Sequence, residues 1–159
     1  MESMNIRLEN PEDTEALGAT LWQALPEKCL LFLYGELGAG KTTLVRGLLR
    51  AAGHPGAVKS PTYTLVEEYE VNGRRLFHFD LYRLKDPEEL EWMGMDDYLN
   101  QSALCCIEWP EMGVGFLPVA DVEVRLNYFQ QQRTAEINVL TKNRENQIKL
   151  NWKNNNLLL

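Results

Sequence analysis

Apolar and polar positions along the chain change period several times, and each change marks an element. Asn10-Pro11 pairs an N-cap residue with a proline at the first helical position. Leu17, Leu21, Ala24 and Leu25 then recur at helical spacing, and Pro26 closes the segment. Cys29 to Leu33 is a continuous apolar run of strand length, the pattern of a strand covered on both faces. A glycine-rich turn follows over Gly35 to Thr42. Thr43 to Ala52 reads as a helix, with Leu44, Val45, Leu48 and Leu49 apolar and Gly53 as its stop. Lys59 to Thr64 is a loop around Ser60-Pro61. Leu65 to Val71 and Arg75 to Asp80 read as strands flanking Asn72-Gly73, the strongest short hairpin signal. Pro87 to Trp92 is a short helix with early acids. Leu104 to Glu108 is a second buried-type strand. Asp121 to Phe129 alternates apolar with polar residues, and after Gln130 to Gln132 so does Arg133 to Leu140.

The order reads strand, helix, strand, helix, hairpin, helix, strand, hairpin, with no bounds assigned to the first strand. It predicts an α/β fold of three layers, with parallel strands at the centre and antiparallel hairpins at one side. Residues 1–140 form the expected domain. Residues 141–159 form a tail expected to fray.

Composition narrows the class. The chain has 159 residues, 45% hydrophobic and 25% charged, which excludes disorder throughout. No apolar run is long enough to cross a membrane, and residues 1–10 lack the apolar stretch of a secretory signal. Three cysteines, Cys105 and Cys106 adjacent, give neither a disulfide framework nor a zinc spacing, and a reducing cytoplasm is expected. The net charge is −7, a poor balance for gripping a phosphate backbone. The tail carries a surplus of three positive charges, leaving −10 elsewhere. Six acids lie between Asp86 and Asp97. They read either as a solvated helix face or as a docking surface for a basic partner.

The chemistry is concentrated in Gly35-Glu36-Leu37-Gly38-Ala39-Gly40-Lys41-Thr42, which matches G-x-x-x-x-G-K-[ST] in the strand-then-helix context that the motif requires. Glycines let successive N–H groups curl round a phosphate at a helix N-terminus. Lys41 adds a point charge for the β- and γ-phosphates, and the Thr42 hydroxyl is placed to ligate Mg²⁺. The nucleotide is expected on Gly35, Gly38, Ala39, Gly40, Lys41, Thr42 and Thr43. Such a loop needs a strand-end carboxylate for the magnesium shell. Asp80 and Glu108 both end apolar strands, at the sheet edge where ligands bind in such folds. They are expected to share the work, one at the metal and the other orienting water. Ser60 and Thr62 are either a simple turn or a switch sensing the γ-phosphate. His78 shares a strand face with Asp80 and reads more readily as packed than catalytic. Trp109 is either a lid or a core aromatic. The GTPase sequences Asp-x-x-Gly and Asn-Lys-x-Asp are absent, and arginines for a kinase lid are few. ATP hydrolysis is favoured, with a small-molecule kinase as the alternative and a nucleotide-gated adaptor as a third class.

Gly35 to Thr43, Ser60-Pro61-Thr62-Tyr63, His78-Phe79-Asp80-Leu81-Tyr82-Arg83 and Ile107-Glu108-Trp109-Pro110-Glu111 together resemble the bacterial TsaE (YjeE) family. The resemblance spans the chain up to the Arg133 hairpin and implies a P-loop NTPase-like fold. It implies a small Mg²⁺-dependent ATPase required for threonylcarbamoyladenosine (t6A) in tRNA. Its implied partners are the proteins TsaD and TsaB, whose pair transfers the carbamoyl group. ATP binding or hydrolysis would reset that pair, so tRNA is met only indirectly and a membrane not at all. The resemblance assigns Thr42 and Glu108 to magnesium, makes Asp80 necessary for hydrolysis beside Lys41, and sets Arg133 near the nucleotide base.

Overall fold

A computed structural model describes residues 2–140. The tail from residue 141 lies outside the described residues.

Seven strands form one sheet: β1 (Glu2–Leu8), β2 (Cys29–Tyr34), β3 (Val66–Val71), β4 (Arg74–Asp80), β5 (Leu104–Glu108), β6 (Val122–Phe129) and β7 (Gln132–Val139). Their order across the sheet is β1-β7-β6-β2-β5-β4-β3. At the centre β2 runs parallel to both β5 and β6, and β5 runs parallel to β4. The α/β class and the parallel centre are as the sequence predicts. Antiparallel pairs flank both edges rather than one: β3 with β4 on one side, β6 with β7 and then β1 on the other. The strand at residues 2–8 has no bounds in the sequence reading, although Met4, Ile6 and Leu8 alternate with polar residues and face the core.

The alternation along β2 explains the three layers. Leu31 and Leu33 face helices α1 (Pro11–Ala24) and α2 (Lys41–Ala52), whereas Leu30 and Phe32 face the opposite side. There Phe77, Phe79 and Ile107 pack beneath Leu90 of the short helix α3 (Glu89–Trp92) and Met95 of α4 (Met95–Leu99). The helix expected over residues 87–92 is present as α3, from Glu89. The sequence reading assigns no element after it, but there Gly94, with a φ of 79°, caps the second short helix α4.

Two caps behave as the residues dictate. The Asn10 side chain accepts the Asp13 N–H at 2.8 Å. Gly53 ends α2 in the left-handed conformation. Helices α1 and α2 approach so closely that a Cβ on Gly18 would lie 2.1 Å from the Leu44 carbonyl oxygen, and one on Gly47 would lie 2.1 Å from that of Glu15. This contact anchors α2 and, with it, the loop at its N-terminus.

Candidate functional site

The loop from Gly35 to Gly40 leaves the central strand and enters α2. Gly38 (φ 80°) and Gly40 (φ 110°) adopt left-handed backbone, which side-chain-bearing residues seldom reach. Gly40 is the N-cap of α2, so the helix begins at Lys41 rather than at Thr43 as expected. Lys41 and Thr42 therefore project from the first turn, where free N–H groups and the helix dipole favour an anion.

Lys41 is buried. Its ammonium donates to the Gly35 carbonyl and lies 3.8 Å above the centre of the Trp109 ring. Burial lowers its proton affinity, and the charges of Glu108, Asp80, Glu111 and Glu36, in falling order, work against that loss. The ammonium is thus held by one carbonyl and an aromatic face, at the edge of the cleft.

The two carboxylates meet because β4 and β5 run parallel with Asp80 opposite Glu108. Glu108 is buried, and its Oε2 accepts the Thr42 hydroxyl at 3.3 Å. The same oxygen lies 2.5 Å from Nε2 of His78, a side chain with 0% exposure. His78 Nδ1 has no partner among the described residues. Asp80 uses both oxygens: Oδ1 accepts the Tyr82 backbone N–H at 3.0 Å, and Oδ2 accepts the Thr62 hydroxyl at 3.4 Å. Burial first, then the neighbouring Glu108 charge, holds Asp80 above the usual carboxylate range, although the Tyr82 bond, His78 and Lys41 pull the other way. Ser60 Oγ lies 2.7 Å from Thr62 Oγ1, so the expected switch segment is tied through Thr62 to Asp80.

A cleft of about 240 Å³ brings together Gly38, Gly40, Lys41, Thr42, Thr43, Ser60, Thr62, Asp80 and Glu108, with Leu37 and Trp109 as walls. Gly35 and Ala39 lie outside its lining, on the other side of the loop. Arg133 also stands apart. Its guanidinium donates to the Gly38 carbonyl at 3.4 Å and lies 5.0 Å from the Tyr128 ring centre.

The paired hydroxyl and carboxylate of Thr42 and Glu108 suit a hard cation. They fit Mg²⁺, which takes one or two protein oxygens and fills its shell with water and phosphate.

The sequence reads His78 as packed, and it is fully buried, but its contact with Glu108 is not foreseen; Trp109 is left undecided. The signal for His78 is its place two residues before Asp80 on one strand face. Its partner Glu108 lies 30 positions away and emerges only from the strand pairing. Trp109 has a φ of 58°, a left-handed conformation unusual for a bulky residue. That turn sends its ring over Lys41, with Tyr82 4.9 Å away.

A family model described as "Threonylcarbamoyl adenosine biosynthesis protein TsaE" matches residues 8–137. Three proteins called tRNA threonylcarbamoyladenosine biosynthesis protein TsaE illustrate the relatives. The Haemophilus influenzae protein is 57% identical over 108 residues, 68% of each chain. The Synechocystis protein is 43% identical over 115 residues, 69% of this chain and 71% of its own. The Bacillus subtilis protein is 34% identical over 124 residues, 78% of this chain and 77% of its own. Among solved structures, Bacillus subtilis YdiB superimposes with a TM-score of 0.75 at 25% identity, covering 91% of this chain and 90% of that one.

Proposed function

The chain belongs to the TsaE family, and from that premise we propose that it is the ATP-binding and ATP-hydrolysing subunit that supports t6A formation in tRNA by acting on a TsaD–TsaB complex. The observation that carries the reading is the contact of the Thr42 hydroxyl, at the end of the phosphate loop, with the Glu108 carboxylate 66 positions later. It joins the two halves of a magnesium–nucleotide site that neither half forms alone.

The backbone amides of Gly38 to Thr42 receive the β- and γ-phosphates. Lys41 leaves the Gly35 carbonyl and the Trp109 face to meet them. Thr42 and Glu108 would hold Mg²⁺, which when bound neutralises charge on the transferring phosphoryl group. Asp80 faces the cleft from the next strand and orients water, while Thr62 links Asp80 to the Ser60 segment. Because Asp80 lies above the ordinary carboxylate range, it is better suited to accept a proton than an unperturbed aspartate.

The test is phosphate release from Mg·ATP with no acceptor present, with and without TsaD–TsaB. Slow release that the pair accelerates is expected. Release only after addition of a small metabolite would favour the kinase class. Lys41→Ala should weaken ATP binding by about 2–3 kcal/mol, the scale of a charge-assisted bond. Unchanged affinity by calorimetry would remove the phosphate-loop reading.

A further inference from the structure

A second groove, of about 510 Å³, runs along the other side of the phosphate loop. It shares Leu37, Gly38 and Trp109 with the phosphate cleft. Its apolar lining is unusually open to solvent: Leu37 is 66% exposed, Tyr128 56% and Phe129 73%. A lone exposed apolar side chain is ordinary, but several around one concavity mark a binding surface. Acidic and basic side chains both border the groove, and they differ in how they are engaged. Glu36 and Glu111 are exposed and form no ion pair within 4 Å among the described residues. The basic residues beside the groove are engaged: Arg125 lies over Tyr34 at 4.0 Å from the ring centre and 3.8 Å from Glu123, and Arg133, 5.0 Å from the Tyr128 ring centre, donates to the Gly38 carbonyl.

We propose that this groove docks a segment of a partner protein that presents an apolar or aromatic side chain next to Lys or Arg. This rests on the reading that the chain acts on the TsaD–TsaB pair, and adds where one of the two touches it. Exposed aromatics supply the contact area on which such interfaces depend. The free carboxylates of Glu36 and Glu111 complement a basic side chain and repel the phosphates of RNA. The position of Trp109 gives the groove a link to the nucleotide. One wall of the groove is the ring that holds Lys41, so a nucleotide that draws Lys41 away alters the surface the partner meets. The coupling is reciprocal: an occupant that fixes Trp109 changes the affinity for nucleotide by the same factor.

The test titrates wild-type protein, Phe129→Ser and Glu111→Lys against purified TsaD–TsaB with Mg·ATP present. Both side chains are exposed, so melting temperatures should match the wild type. Each variant should bind the pair about tenfold or more weakly, the scale of an interface hot spot. For Glu111→Lys the loss should also flatten the dependence on salt. A second measurement places a photoreactive phenylalanine analogue at position 129. Light should then cross-link the chain to a Lys- or Arg-containing stretch of one partner subunit. Wild-type binding with both variants equally tight, or a complex with no cross-link from position 129, overturns the groove and leaves the proposed function standing. Cross-linking to tRNA in place of protein also overturns it. If wild-type protein does not associate with the pair at all, the proposed function fails and the groove proposal falls with it.

Discussion

His78 gives its Nε2 to the oxygen of Glu108 that also accepts the Thr42 hydroxyl. If Glu108 holds Mg²⁺ as proposed, a group that fixes it from behind acts as a positioning residue, and loss of such a partner commonly costs 10–100-fold in metal affinity. His78→Leu should therefore raise the Mg²⁺ concentration needed for half-maximal ATP affinity by about tenfold, leaving metal-free ATP affinity unchanged. His78→Gln, whose amide can place an N–H close to the Nε2 position, should restore most of it. Calorimetry with and without Mg²⁺ reads the difference, and equal metal dependence in wild type and His78→Leu would deny the role. Asp80 invites a different measurement. Its raised proton affinity means that the folded chain holds this proton more tightly than the unfolded chain. Stability then falls as pH rises from about 4 through the raised value, and the ionised carboxylate remains a cost above it. Asp80→Asn should accordingly melt at a higher temperature than the wild type near neutral pH, lose that advantage below about pH 4, and slow hydrolysis at every pH. A variant that melts lower than the wild type at neutral pH would show that the Thr62 and Tyr82 bonds outweigh burial.

The pairing of α1 with α2 turns on Gly18 and Gly47, where a methyl group would meet backbone atoms that cannot step aside. Gly47→Ala should separate the helices and destabilise the fold by about 1–3 kcal/mol, the usual cost of overpacking, despite alanine's better helix propensity. Urea unfolding checks this: a midpoint at or above the wild-type value would mean that α1 shifts freely. Other elements differ in how openly the sequence announces them. Asn72-Gly73 declares its hairpin because both residues take positive φ, at 52° and 81°. The hairpin at Gln130-Gln131 makes the same kind of turn (φ 51° and 66°) without glycine, so only the alternation on either side gives it away. The site divides likewise. The loop, Asp80 and Glu108 are legible because glycines and strand-end acids carry local signals. The His78–Glu108 contact depends on the register of β4 against β5, and no local pattern encodes a register between strands so far apart.

On the scale of the whole molecule, the acids between Asp86 and Asp97 do two kinds of work. Glu89 accepts the backbone N–H groups of Lys85 and Asp86, and Asp86 accepts that of Glu88. These two hold the entry to α3 and are unsuitable for a charge test. Glu88 and Glu91 are exposed near Trp92, itself 75% exposed. With a net charge of −7, the molecule attracts basic surfaces at a distance. Reversing Glu88 and Glu91 to Lys should slow association with TsaD–TsaB at low salt, with little change at high salt or in dissociation, because charges outside a contact steer encounter more than they hold the complex. ATP affinity should be unchanged. Stopped-flow traces that match the wild type at low salt would assign this face to solvent alone.

The central strand also decides when the site can come into being. Residues 29–34 are laid down well before both neighbours of β2, since β5 and β6 pair with it from positions more than seventy further along the chain. Parallel partners so distant close large loops before any contact rewards them, which makes folding slow. Until residue 129 has left the ribosome, the apolar run Cys29–Tyr34 has an unpaired edge open to any other chain, and the newborn protein is at its most vulnerable to aggregation. On the proposed reading, nucleotide gives no help for most of that interval, since Glu108, the carboxylate that would complete its site, arrives only with β5.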